Sequence, residues 1–142
     1  MSLRIGVLGG GQLGRMMALA GYPLNLSFAF FDKAVDCPSA ALGPRFGDDD
    51  YSDASLQAFI DSADVFTYEF ENIPTRWVEA IAARKPVYPG VKSLAVSQNR
   101  LNEKQLFAAL NIPSARFHEI RSEADLSAAV AALGLPLVIK TV

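Results

Sequence analysis

Gly9, Gly11 and Gly14 stand at the spacing G-x-G-x-x-G, after an apolar run at residues 3–8 and before an amphipathic stretch at residues 12–20. Glycine lets a backbone turn with positive φ and lets a ligand approach with no Cβ in the way. A helix starting at such a turn offers unpaired N–H groups and the positive end of its dipole, which suits an anionic or polar ligand. Asp32 closes the second apolar run, about 20 residues on, where a dinucleotide-binding unit places the acid that holds ribose hydroxyls. The spacing alone leaves three readings open. The turn holds a nicotinamide dinucleotide, as in the NAD(P)-binding domain of a dehydrogenase; it holds another polar ligand; or its glycines only allow tight helix–strand packing.

A second group is Tyr68-Glu69-Phe70-Glu71-Asn72, after an expected strand at residues 64–68. In an open α/β sheet, ligands sit at the carboxyl ends of the strands. If the segment stays extended, Glu69 and Glu71 share one face. A carboxylate there can accept hydrogen bonds from an amine or from sugar hydroxyls. The plainer alternative is a solvated acidic turn ahead of the next helix. Asp48, Asp49 and Asp50 are adjacent, so their side chains diverge, and no EF-hand spacing surrounds them; they read as a solvated loop and not a metal site.

Lys140 sits in the apolar stretch at residues 135–142, where a charge needs a reason. Near a phosphate site a lysine supplies a point charge; otherwise it snorkels at a sheet edge. Arg100 lies near the start of an expected helix. His118 has no nucleophile or acid at triad spacing, and Cys37 precedes Pro38 with no partner motif. No catalytic residue and no metal ligand is therefore assigned within the chain.

The elements that must position these residues follow from periodicity. Strands are expected at residues 3–8, 26–31, 64–68 and 86–88. Helices are expected at residues 12–20, with Leu13, Met16, Met17 and Ala20 inward, and at 53–63, with Leu56, Phe59, Ile60 and Ala63 inward. A third starts at Pro74 and Thr75, with Trp77, Val78 and Ile81 inward. This alternation predicts an α/β fold with a parallel, doubly wound, Rossmann-like sheet. The pattern changes near residues 91–98, so the expected domains are 1–97 and 98–142. The second part reads as a helix at 98–110, a strand at 115–120, a capping box Ser122-Glu123-Ala124-Asp125 opening a helix to Leu133, and a buried strand at 135–142. A chain that stops on such a strand is expected to be the front part of a longer protein.

The chain has 142 residues, half of them apolar (51%), enough for a packed core, and a net charge of −2 with Lys and Arg scattered. No basic stripe suggests nucleic acid as partner. No apolar run has membrane-spanning length, no signal-peptide order opens the chain, and one cysteine cannot form an internal disulfide. The expectation is a cytoplasmic protein with no membrane or nucleic-acid partner.

Several stretches together resemble the N5-carboxyaminoimidazole ribonucleotide synthetase family (the ATP-dependent subunit of phosphoribosylaminoimidazole carboxylase), of the ATP-grasp superfamily. They are Gly9-Gly10-Gly11-Gln12-Leu13-Gly14-Arg15-Met16, Thr67-Tyr68-Glu69-Phe70-Glu71-Asn72-Ile73, Gln98-Asn99-Arg100-Leu101-Asn102-Glu103-Lys104, Ile112-Pro113-Ser114-Ala115 and Pro136-Leu137-Val138-Ile139-Lys140-Thr141. Asn99 departs from the family pattern, which usually has Asp there. The resemblance implies a Rossmann-like pre-ATP-grasp domain followed by the beginning of an ATP-grasp domain. It implies ATP-dependent carboxylation of 5-aminoimidazole ribonucleotide with bicarbonate, in purine biosynthesis, by a homodimer. Gln12, Leu13 and Glu69 would then meet the substrate, and Arg100 and Lys140 the ATP phosphates. The ligands of Mg²⁺ and the catalytic groups would lie beyond Val142, leaving this chain inactive alone. Asp32 would then reflect shared sheet architecture only.

Overall fold

The computed structural model describes residues 2–141. The chain divides into two compact units, Met1–Leu94 and Ala95–Val142. In the first, strands β1 (Arg4–Leu8), β2 (Ser27–Phe31), β3 (Arg45–Phe46) and β4 (Val65–Tyr68) form one sheet, all parallel, in the order β3-β2-β1-β4. Helix α1 (Gln12–Gly21) joins β1 to β2, α2 (Asp53–Asp61) joins β3 to β4, and α3 (Thr75–Ala82) follows β4. This is the α/β, Rossmann-like parallel sheet that the sequence predicts.

The unbroken apolar strands are buried on both faces, as parallel strands require. Val7, Phe28 and Phe30 pack with Ala18 of α1 on one side. Leu8, Ala29 and Phe31 meet α2 and α3 on the other through Leu56, Phe59, Ile60, Trp77, Val78 and Ile81. Phe31 is the hub of that larger core: its ring lies 5.2 Å from Phe59, stacked, and 5.2 Å from Trp77, edge-on.

Several expectations need correction. α1 buries Gly14, Ala18 and Gly21, not Leu13, Met16 and Ala20, while Met17 is only partly buried. The cause is close approach: a Cβ on Gly21 would stand 2.5 Å from the Phe28 ring. Large residues cannot occupy that face. The expected strand at 86–88 is a single parallel bridge, Val87 to Phe66, because Pro86 and Pro89 beside it cannot donate to a ladder. The two-residue β3 and the short α4 (Val91–Ser97), which lies in the stretch where the sequence pattern changes, carry too few residues to show periodicity.

The second unit holds α5 (Arg100–Ala109) and α6 (Glu123–Leu133). Asn99 caps α5 by accepting the Asn102 N–H at 2.9 Å, so the departure from Asp keeps the cap. Ser122 accepts the Asp125 N–H and Asp125 accepts the Arg121 N–H, closing α6 as its sequence predicts. Residues 115–120 and 135–141 are not strands. Val138 and Ile139 are exposed, at 82% and 67%. A strand needs a neighbour to take its N–H and C=O groups, and the described residues of this unit contain none.

Phe31→Ala is expected to cost about 3–5 kcal/mol in urea unfolding, as removal of a buried aromatic hub does; a cost below about 1 kcal/mol would show that Phe31 does not organise the core. A second expectation concerns acid. The Ser52 hydroxyl, then its N–H, donates to Asp48 and holds that carboxyl below its ordinary value of 3.8. A lowered folded-state value gives stability that is present above the unfolded value and lost as pH falls through the folded one. Asp48→Asn should therefore lower Tm at neutral pH, with the gap to wild type closing below about pH 3.8. Thermal melts across that range check it, and a gap that widens in acid would contradict it.

Candidate functional site

The site lies where the sheet's strand order reverses. β1 and β4 are neighbours, with Leu8 paired to Tyr68, so both strands end at the same edge. The turn at residues 9–14 and the side chain of Glu69 therefore emerge side by side. The Gly9 N–H donates to Phe31 O at 3.0 Å and the Glu69 N–H to Leu8 O at 3.2 Å, fixing both exits to the sheet.

Glu69 then reaches across to the turn. Its Oε1 accepts the Gly11 N–H at 3.0 Å and its Oε2 accepts the Gly14 N–H at 2.6 Å. Asp32 does the same one residue earlier: Oδ2 accepts the Gly10 N–H at 2.8 Å, while Oδ1 accepts the Ala34 N–H at 2.9 Å. The carbonyl of Gly10 takes both the hydroxyl and the N–H of buried Ser39, at 2.9 and 3.0 Å. The Arg45 guanidinium donates to Asp32 O and Gly47 O, each at 2.7 Å, which holds the segment carrying Asp32. Charge-assisted bonds of this kind, at the positive end of a helix, are among the stronger ones available to a surface turn.

The glycine spacing follows from this contact. A Cβ on Gly9 would stand 2.5 Å from Glu69 Cγ, and one on Gly11 would stand 2.6 Å from Oε1. On Gly14 it would be 3.1 Å from Oε2. Gly9 also adopts φ +106°, which side-chain-bearing residues rarely do.

Beside Glu69 runs an open groove of about 470 Å³, lined by Leu13, Met16, Met17, Ala20, Tyr68 and Glu69. Leu13, Met16 and Ala20, expected in the core, thus face a cleft instead, while Met17 packs partly against the core and also lines the cleft; Leu13 and Met16 are more than half exposed. Gln12 is exposed at the first position of α1. Glu69 and Leu13 meet at this groove, and Gln12, beside Leu13 in the chain, is not among its lining residues.

Asp32 sits at the end of β2, as its spacing predicts, but its carboxylate is engaged by the backbone of the turn. Ser39 and Arg45 escaped sequence reasoning. A serine in a loop and an arginine on a two-residue strand carry no periodic signal. Asp48, within the acidic run, accepts from Ser52, the residue before α2, and from Ser55 in its first turn.

The two expected phosphate-binding residues belong to the second unit. Arg100 opens α5 and lies 3.7 Å from Glu103 Oε2. Lys140 is exposed in the irregular segment at residues 135–141, not on a buried strand.

Comparison with known proteins places this geometry. The family model described as the ribonucleotide synthetase preATP-grasp domain matches residues 2–98. The N5-carboxyaminoimidazole ribonucleotide synthase of Pseudomonas aeruginosa is 46% identical over 139 residues, 98% of this chain and 39% of that protein. The crystal structure of N5-carboxyaminoimidazole ribonucleotide synthetase from Thermus thermophilus matches with a TM-score of 0.80 at 42% identity, over 93% of this chain and 37% of that one. The enzyme from Aspergillus clavatus in complex with ADP and 5-aminoimidazole ribonucleotide matches with a TM-score of 0.79 at 28% identity, over 95% of this chain and 37% of that one. The chain thus spans about two fifths of the length of these relatives. With the glycine turn, the reversal point and Glu69 all inside the matched segment, the chain belongs to the family of ribonucleotide synthetase preATP-grasp domains.

Proposed function

We propose that this chain is the substrate-holding front part of an ATP-dependent carbon–nitrogen ligase. That enzyme carboxylates 5-aminoimidazole ribonucleotide with bicarbonate to N5-carboxyaminoimidazole ribonucleotide, in purine biosynthesis. The observation that carries the reading is the likeness to a relative crystallised with ADP and that ribonucleotide, across 95% of the chain. The chemistry has a clear logic. Bicarbonate is a poor electrophile. Transfer of the γ-phosphoryl group of ATP to a bicarbonate oxygen releases ADP and gives carboxyphosphate. The exocyclic amine then attacks the carboxyl carbon and phosphate leaves.

In this reading the chain's own residues bind and orient. A carboxylate offers about four lone-pair sites. Gly11 and Gly14 take two at Glu69, and the others are assigned to donors on the substrate. Gln12 and Leu13 meet the same ligand from the start of α1. Arg100 and Lys140 contact the ATP phosphates. The family likeness assigns the ligands of Mg²⁺ to residues outside this chain. A homodimer working in the cytoplasm belongs to the same proposal.

The test uses the complete enzyme. ADP and phosphate should be released at a useful rate only when the aminoimidazole ribonucleotide and bicarbonate are both present; turnover independent of either would refute the reading. Calorimetry should show Glu69→Ala weakening the ribonucleotide about tenfold or more while ATP affinity changes little, the usual scale for a hydrogen bond to a charged group. Lys140→Ala should do the reverse. Equal effects on both ligands would remove these residues from their assigned places.

A further inference from the structure

We propose that Glu69 is the specificity-determining residue of the glycine-rich turn. It is a built-in anion that closes the N–H groups of Gly11 and Gly14 to phosphate, leaving the turn to a ligand's hydrogen-bond-donating end. Three observations carry this. The carboxylate occupies two of the four N–H groups that open α1, those of Gly11 and Gly14, at 3.0 and 2.6 Å. All three glycines of the motif look onto this one side chain, so their missing Cβ atoms make room for Glu69 and not for a pyrophosphate. Asp32 places a second carboxylate on the N–H of Gly10, one residue before Gly11.

A phosphate approaching this turn would meet two carboxylates and no free N–H among those of Gly10, Gly11 and Gly14. Like charges at contact distance repel strongly in partly desolvated surroundings. Where a phosphate-binding turn attracts an anion, this one has its anion covalently supplied. The outward lone pairs of Glu69 can only accept, so the ligand end that docks there must donate, through an amine or hydroxyls. For a phosphorylated substrate, the phosphate must then lie away from α1. That last step rests on the substrate reading above; the exclusion of phosphate does not.

The test is a titration of the ¹⁵N-labelled chain with inorganic phosphate at neutral pH, followed at the amides of Gly11 and Gly14. In the wild-type chain these amides should not respond saturably. In Glu69→Ala they should, with phosphate bound about tenfold or more tightly than by wild type. Glu69→Gln keeps the bulk and one acceptor, and so secures a folded neutral variant; it should also respond. Glu69→Asp shortens the side chain but keeps the charge, and should stay silent. A saturable response in wild type overturns the proposal. So does silence in folded neutral variants, or a response in Glu69→Asp equal to that in Glu69→Ala, which would make space and not charge the determinant. Failure of the complete wild-type enzyme to bind the aminoimidazole ribonucleotide would sink the substrate reading and leave the phosphate result standing.

Discussion

The first unit turns on one carboxylate. Glu69 leaves β4 beside the end of β1 and accepts two N–H groups that α1 would otherwise leave unsatisfied. A helix N-terminus must find acceptors from a side chain, water or a ligand. Here the acceptor comes from a strand 55 residues further along the chain, so the bond also ties two sheet exits together. The glycines follow as a steric consequence. With any Cβ at Gly9 or Gly11 the carboxylate could not reach the turn without something shifting.

The same economy of size explains the groove. α1 approaches the Phe28 and Phe30 rings through Gly14, Ala18 and Gly21. A helix that packs through its small residues must carry its large apolar ones elsewhere. Leu13, Met16, Met17 and Ala20 therefore line a cleft whose polar wall is Glu69. Apolar lining with a few placed polar groups is the usual make-up of a small-molecule site. Tight packing on one side of the helix and an open cleft on the other are two results of one distribution of side-chain volume.

Much of this is legible in the sequence, and what is not has physical causes. The strands ending at Leu8, Phe31 and Tyr68 show as apolar runs because a parallel sheet buries both faces. α2 and α3 show as periodic stripes because large side chains face their core: Leu56, Phe59 and Ile60 on one, Trp77, Val78 and Ile81 on the other. α1 misleads for the opposite reason. Its core face is built of Gly and Ala, which hydrophobic periodicity does not weigh. The alternating stretch at 115–120 and the apolar run at 135–141 mislead again, because composition specifies a willingness to pair and not the presence of a partner. At the site, Glu69 is legible from its place after a strand. Its bond to the turn is not, since nothing in a linear pattern says that residue 69 meets residues 11 and 14. Ser39 and Arg45, which steady the turn through Gly10 and Asp32, depend on a loop path that no local signal encodes.

A glycine-rich turn at the start of a helix is a statement about space and donors, and it is silent about charge. Bare N–H groups make such a turn a phosphate cradle. The same N–H groups covered by a carboxylate make it an acceptor surface with the opposite ligand preference. The deciding residue need not lie in the motif, and here it sits on the neighbouring strand at the sheet's reversal point. Asp32 illustrates the hazard from the other direction. Its spacing from the glycines fits a ribose-binding acid, yet its carboxylate is taken up by the turn's own backbone. The ligand chemistry of such a turn is therefore set by which side chains already occupy its donors. In this chain both occupants are acids, which favours a donor-bearing ligand over a dinucleotide.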